Sequence, residues 1–248
     1  MLIFHQPRAG RETGLTLIEV LISIIIFGII TTMLVTIWVN LQRSAVFAMQ
    51  ANNASATARD AIARVGTALR AAQPSVLPSA SPTATATAMP VSAPPITSAG
   101  PWDIQFYSAG GSSNVTTDGT GVGAVHLTRI YLDTSGSSPQ KTLYLQRDIN
   151  GNGSFTDAAD QTYILARNVI NKSLVDSNGG DTSYDLFLYA WRSASTSPLQ
   201  WTDNADGSLT LSTIVGVRAR VIVDANITHT PKYIDSTTTV RLRNASGS

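Results

Sequence analysis

Arg11-Glu12-Thr13-Gly14-Leu15-Thr16-Leu17-Ile18-Glu19-Val20, followed by an apolar run to Val39, decides how this chain is read. From Leu15 to Val39 the only ionisable side chain is Glu19. At about 1.5 Å rise per residue, a helix over this run is long enough to cross a hydrocarbon core of roughly 30 Å. A charged, unpaired carboxylate at mid-membrane costs about 2.5–3.5 kcal/mol. An acid with no partner in its own helix therefore points to function. Arg8 and Arg11 precede the run, so by the positive-inside bias this end stays in the cytoplasm and the remainder is translocated. The run is too long for a secretory h-region, and no small-x-small cleavage site closes it.

The stretch Gly14-Leu15-Thr16-Leu17-Ile18-Glu19-Val20-Leu21 resembles the type III signal peptide of type IV prepilins and type II secretion pseudopilins. The resemblance implies a leader, residues 1–14, that a prepilin peptidase removes after Gly14. It implies methylation of the new Leu15 amine. It also makes Glu19 the assembly acid, pairing with the N-terminal amine of a neighbouring subunit. Leu15 stands where most members have Phe; it is apolar and unbranched at Cβ, so cleavage and insertion are still expected. The implied partners are the peptidase, other pilins or pseudopilins, and an inner-membrane assembly platform. The implied location is the inner membrane, with a cytoplasmic N terminus before assembly, and then a periplasmic or cell-surface filament. The Ile-Phe-Gly-Ile-Ile segment, the Arg-bearing helix continuation and the large β region look most like PilW-type minor pilins and the J-type pseudopilin.

Composition narrows the chemistry. The 248 residues carry a net charge of +1, and 13% are charged. No strongly basic field makes nucleic acid the main partner, although Arg218, Arg220, Arg241 and Arg243 form a local basic group in sequence. There is no cysteine, which excludes disulfides and thiolate metal sites. His5, His126 and His229 are the only histidines and lie far apart. No nucleophile–base or phosphate-binding motif occurs. The sequence is therefore read as a non-enzyme. A binding module for adhesion or DNA uptake is the alternative to a structural subunit.

Beyond the membrane helix at 15–39, residues 40–72 continue it. This segment has no Pro, and Ile62, Val65 and Leu69 share one face. Asp60 and Arg64 stand at helical ion-pair spacing. Residues 73–100 contain Pro74, Pro78, Pro82, Pro90, Pro94 and Pro95 among Ala, Ser and Thr. They read as an exposed, mobile loop. From 101 to 248 the period switches to two, with strands expected at 102–107, 124–133, 141–147, 162–166, 184–192, 209–223 and 237–243. Tyr184–Arg192 is apolar on both faces, which predicts a central strand. In 214–223, Val215, Val217, Ala219, Val221 and Val223 fall on one face, with Arg218 and Arg220 on the other. The expected fold class is α+β: a long helix packed on a mainly antiparallel sheet.

One loop has ligand-like spacing. In Asp148-Ile149-Asn150-Gly151-Asn152-Gly153-Ser154-Phe155-Thr156-Asp157-Ala158-Ala159-Asp160, oxygen side chains alternate before a Gly. This resembles the start of a calcium loop, with Asp148, Asn150, Asn152 and the Ser154 carbonyl as ligands and Asp157 or Asp160 as the closing acid. The pattern departs from an EF-hand at its end, where Ala159 replaces the bidentate acid, and an Asn-Gly hairpin turn accounts for the same residues. A bound calcium there would be structural. The segments 176–181 and 203–207 read as turns.

Overall fold

The computed structural model describes residues 16–72, 75–76, 92–93, 95–109, 125–149, 152–158, 160–175, 181–192, 197–225 and 233–242. The chain divides into two compact units, one ending at Met49 and one from Gln50 to Ser248. Helix α1 runs from Leu17 to Arg70. In the first unit, every described side chain from Thr16 to Val46 is exposed, and the apolar surface of this stretch is uncovered among the described residues.

In the second unit, α1 buries a narrow stripe: Ala54, Ala58, Ala61, Ile62, Val65, Ala68 and Leu69. The spacing alternates threes and fours, the signature of one helical face. Four of these residues are Ala, so the backbone can sit close to the sheet. Ile62, Val65 and Leu69 supply the larger burial, each stabilising by about 1.5–3 kcal/mol. The solvent side carries the Asp60–Arg64 ion pair at 2.9 Å. Both side chains are well exposed, so the pair contributes only a few tenths of a kcal/mol.

The helix packs on an antiparallel sheet built from β3 (Ile96–Ala99), β4 (Asp103–Ala109), β5 (Val125–Leu132), β6 (Lys141–Arg147), β7 (Gln161–Val169), β10 (Phe187–Trp191), β11 (Gln200–Thr202), β12 (Ile214–Asp224) and β13 (Tyr233–Arg241). Two short ladders, β1 (Ser75–Val76) with β2 (Ser92–Ala93) and β8 (Leu174–Val175) with β9 (Asp181–Thr182), stand apart from it. The α+β expectation holds. The strand at Ile96–Ala99 lies inside the segment read as a loop, and Ile96 is fully buried in the core. A single apolar residue among Pro and Ser was too little pattern to mark a strand.

β12 is the hub. β13 pairs along one of its edges from Gly216↔Arg241 to Asp224↔Tyr233. The other edge is shared: β10 pairs with it up to Phe187↔Ala219, and β7 meets it at Val169↔Val223. The backbone between these partners is satisfied by a side chain. Asn171, fully buried, accepts from the Ile222 N–H at 2.8 Å and donates to the carbonyls of Arg220 at 2.7 Å and Tyr184 at 3.2 Å. Its amide stands in for a missing stretch of strand, which answers the demand that buried backbone groups be paired.

A bulge bends β7 toward this junction. Its register against β6 shifts between Lys141 and Leu143, and Asn168 adopts φ 58°, a left-handed conformation that Asn tolerates better than most residues. At the far end the sheet curls back on itself. The Leu186 N–H donates to the Pro101 carbonyl at 2.9 Å, and the Asn204 amide to the Ala99 carbonyl at 2.7 Å. Inside the curl lie Ile104, Phe106, Ile130, Leu143, Phe187, Tyr189, Val217, Ala219 and Val221, all buried with the helix stripe. β10 is not central: it lies second from an edge, between β11 and β12. Its core face packs inside the curl through Phe187 and Tyr189, while Leu188 on the opposite face is half-buried.

Candidate functional site

The N-terminal segment starts as a helix whose first-turn acid is Glu19. The Thr16 carbonyl accepts from the N–H groups of Glu19 at 3.0 Å and Val20 at 3.3 Å. A carboxylate here sits near the positive end of the helix dipole, and Glu19 is exposed along with its neighbours. Gly14 and Leu15, the expected processing residues, lie outside the described residues.

Downstream of Glu19 the helix surface is apolar on every side. Ile24, Phe27, Met33 and Trp38 are among the most exposed large side chains. By length and composition this helix is able to cross a membrane. Three of the hydroxyls that interrupt it are internally satisfied: Ser23, Thr32 and Thr36 each donate to the carbonyl four residues back, all at 2.8 Å. They add no polarity that lipid or a neighbouring helix would have to meet. Glu19 alone presents an ionisable group on the described apolar surface through Leu41.

The acidic loop folds on itself. Asp148 is 1% exposed. Its Oδ2 accepts from the Gly153 N–H at 2.7 Å, and Gly153 takes φ 80°, which only Gly adopts freely. Asn152 Oδ1 accepts from the Ser154 N–H at 2.8 Å, and its amide donates to the Asp157 carboxylate. Asp160 closes the loop, accepting from the Asp157 N–H at 3.0 Å and the Ile149 N–H at 3.4 Å. Asp148, Asn152, Ser154, Asp157 and Asp160 are thus brought into one turn-rich loop; Asn150 lies outside the described residues. Among the described residues, no group of three or more His, Cys, Asp or Glu side chains is arranged to hold a metal ion.

Of the expected basic group, Arg218, Arg220 and Arg241 occupy one face of β12 and β13, opposite the core; Arg243 lies outside the described residues. Their charges do not simply add. Arg220 is bound to Asp235 at 2.6 Å and covers Tyr184, and this bond raises its pKa further above the usual guanidinium value. Arg218 lies 4.3 Å over the Trp201 ring. No local pattern in the sequence signals these Arg–aromatic pairs, because each joins residues distant in the chain. The turn at 203–207 is as expected, with Asn204 and Gly207 both at positive φ.

A family model described as the prokaryotic N-terminal methylation motif matches residues 10–35. No curated protein and no solved structure matches the chain. The matched segment contains Gly14, Glu19 and the apolar helix start, and the chain thus carries the N-terminal methylation motif of the type IV pilin and pseudopilin family.

Proposed function

We propose that this protein is a structural subunit, a minor pilin or pseudopilin, of a type IV pilus or type II secretion pseudopilus. The observation that carries the reading is the methylation motif at the head of a helix whose apolar surface is exposed on every side. In lipid that surface is solvated by acyl chains; in a filament it packs against other helices. Cleavage after Gly14 frees the Leu15 amine. Glu19 of an incoming subunit and the amine of a neighbour then neutralise each other in an apolar core. An unpaired charge is costly there and a paired one is tolerated, so the pairing favours one register. The prepilin peptidase, neighbouring pilins and the inner-membrane platform are the partners in this scheme, and catalysis has no place in it.

The test is the intact mass and N-terminal residue of the protein recovered from membranes, with and without the peptidase. A chain beginning at methylated Leu15 supports the reading. A chain retaining residues 1–14 in the presence of active peptidase removes it, leaving a signal-anchored surface domain. The alternative, a binding module, has weaker support because Asp235 offsets one of the clustered arginines.

The loop from Asp148 to Asp160 is proposed to take a structural calcium ion. The bond from the Gly153 N–H to one Asp148 oxygen supports this, because it orients that carboxylate in the turn. The full ligand set would draw on Asn and carbonyl oxygens as well as carboxylates.

A further inference from the structure

Sheet edges offer unpaired backbone groups, and proteins usually blunt them with short strands, bulges, Pro or Lys. The three edge strands of this sheet, β3, β11 and β13, differ in that respect. β3 has four residues, follows Pro95, carries a bulge between Ile96 and Ser98, and has its Ala99 carbonyl bonded by Asn204. β13 has nine residues in unbroken register with β12 and contains neither Pro nor Lys. Among the described strands, its outer edge has no partner. β11, beyond β10, likewise has no second partner among the described strands, and it exposes Gln200 and Trp201.

These two edges are complementary in direction. β11 is antiparallel to β10, β10 to β12, and β12 to β13, so β11 and β13 run in opposite senses. Two copies in the same orientation therefore present β13 of one antiparallel to β11 of the next. Pairing β13 with β13 would instead need a two-fold axis normal to the sheet. That axis would reverse the helix segment packed on the sheet.

The edges are also complementary in charge. Arg241 is exposed on β13 and makes no ion pair among the described residues. At the β11 edge Asp203 lies close enough to Asp185 to help raise the pKa of Asp185, after burial. Neither acid has an ion-pair partner among the described residues. Arg241 shares a row with Gly216, Ala190 and Trp201, so a level copy brings Arg241 against Trp201 and diagonally toward Asp203. Opposite charges across strands are stabilising.

We propose that β13 of one copy adds to β11 of a second copy, extending the sheet head to tail with Arg241 facing the acidic β11 edge. This deepens the subunit reading and rests on it. A heterologous contact of this kind repeats without closing unless its rotation forms a ring.

The native chain has no cysteine, so the full-length protein carrying Thr239→Cys and Asp203→Cys gives a clean cross-linking test in membranes. Within one copy these positions are separated by three strand spacings, about 14 Å. A disulfide needs Cα atoms roughly 4.4–6.8 Å apart, so every adduct is between copies. A ladder of dimer, trimer and higher species is expected. Absence of adducts, or a dimer and nothing larger, overturns the proposal. In cysteine-free chains, Arg241→Asp should reduce co-purification of differently tagged copies, and adding Asp203→Arg to the same chain should restore it. Failure to restore also overturns the contact. The N-terminal residue is read in the same samples: a processed Leu15 without the ladder removes the edge contact and leaves the subunit reading standing.

Discussion

The Tyr189 hydroxyl donates to the Gly100 carbonyl at 2.8 Å, and the Gly100 N–H donates back to the Tyr189 hydroxyl oxygen at 3.1 Å. The two residues are 89 positions apart. This reciprocal pair holds the turn before β4 against β10 and so fixes the curl of the sheet.

Tyr189→Phe should therefore destabilise the protein by about 1–3 kcal/mol, because buried backbone groups lose their partner. Thermal unfolding of the full-length protein in detergent measures it. The native phenol also sets an alkaline limit. Burial raises its pKa well above the ordinary 10.0. A raised folded pKa gives stability that is complete below the unfolded pKa and is lost as pH rises toward the folded one. The native protein should lose stability above about pH 10, and the Phe variant should lack this contribution. Identical alkaline limbs would count against the account.

Two glycines should respond oppositely to Ala. At Gly66, mid-helix, a Cβ would lie 3.5 Å from Thr238 Oγ1, an ordinary contact. Gly66→Ala should stabilise by up to about 1 kcal/mol through helix propensity. At Gly216 a Cβ would lie 3.1 Å from the Val240 carbonyl, which is held in the β12–β13 ladder. Gly216→Ala should cost about 1–3 kcal/mol. Paired melting curves decide it, and a stabilised Gly216 variant would show that β13 yields more than the ladder implies.

Glu19→Ala should leave membrane insertion and leader removal intact, because the apolar run is unchanged, but should impair incorporation into filaments. Fractionation of sheared filaments against membranes measures this. Normal incorporation would remove electrostatic pairing from the assembly scheme.

Saturating calcium should raise the melting temperature relative to chelator, since a ligand at about 100 times its Kd stabilises by roughly 2.7 kcal/mol. Asp148→Asn should remove most of that increment. Equal melting temperatures in calcium and chelator would reduce the loop to a turn closed by its own hydrogen bonds.

The sequence by itself determined the helix, its apolar first half, the isolated Glu19 and the buried stripe through Ile62, Val65 and Leu69. It also determined the inward and outward alternation of β12. These are local, periodic signals: a long run without polar interruption has few alternatives, and a period of two assigns faces directly. Only the tertiary structure decided that Ile96–Ala99 is a strand, that β10 lies near an edge, and that Asn171 pairs with the β12 backbone between β10 and β7. It alone joined Arg218 to Trp201, Tyr189 to Gly100, and set β11 and β13 as oppositely directed edges among the described strands. Each of these depends on which distant segments pair, and strand order is set by closure of the curled sheet around one core, which no local pattern encodes.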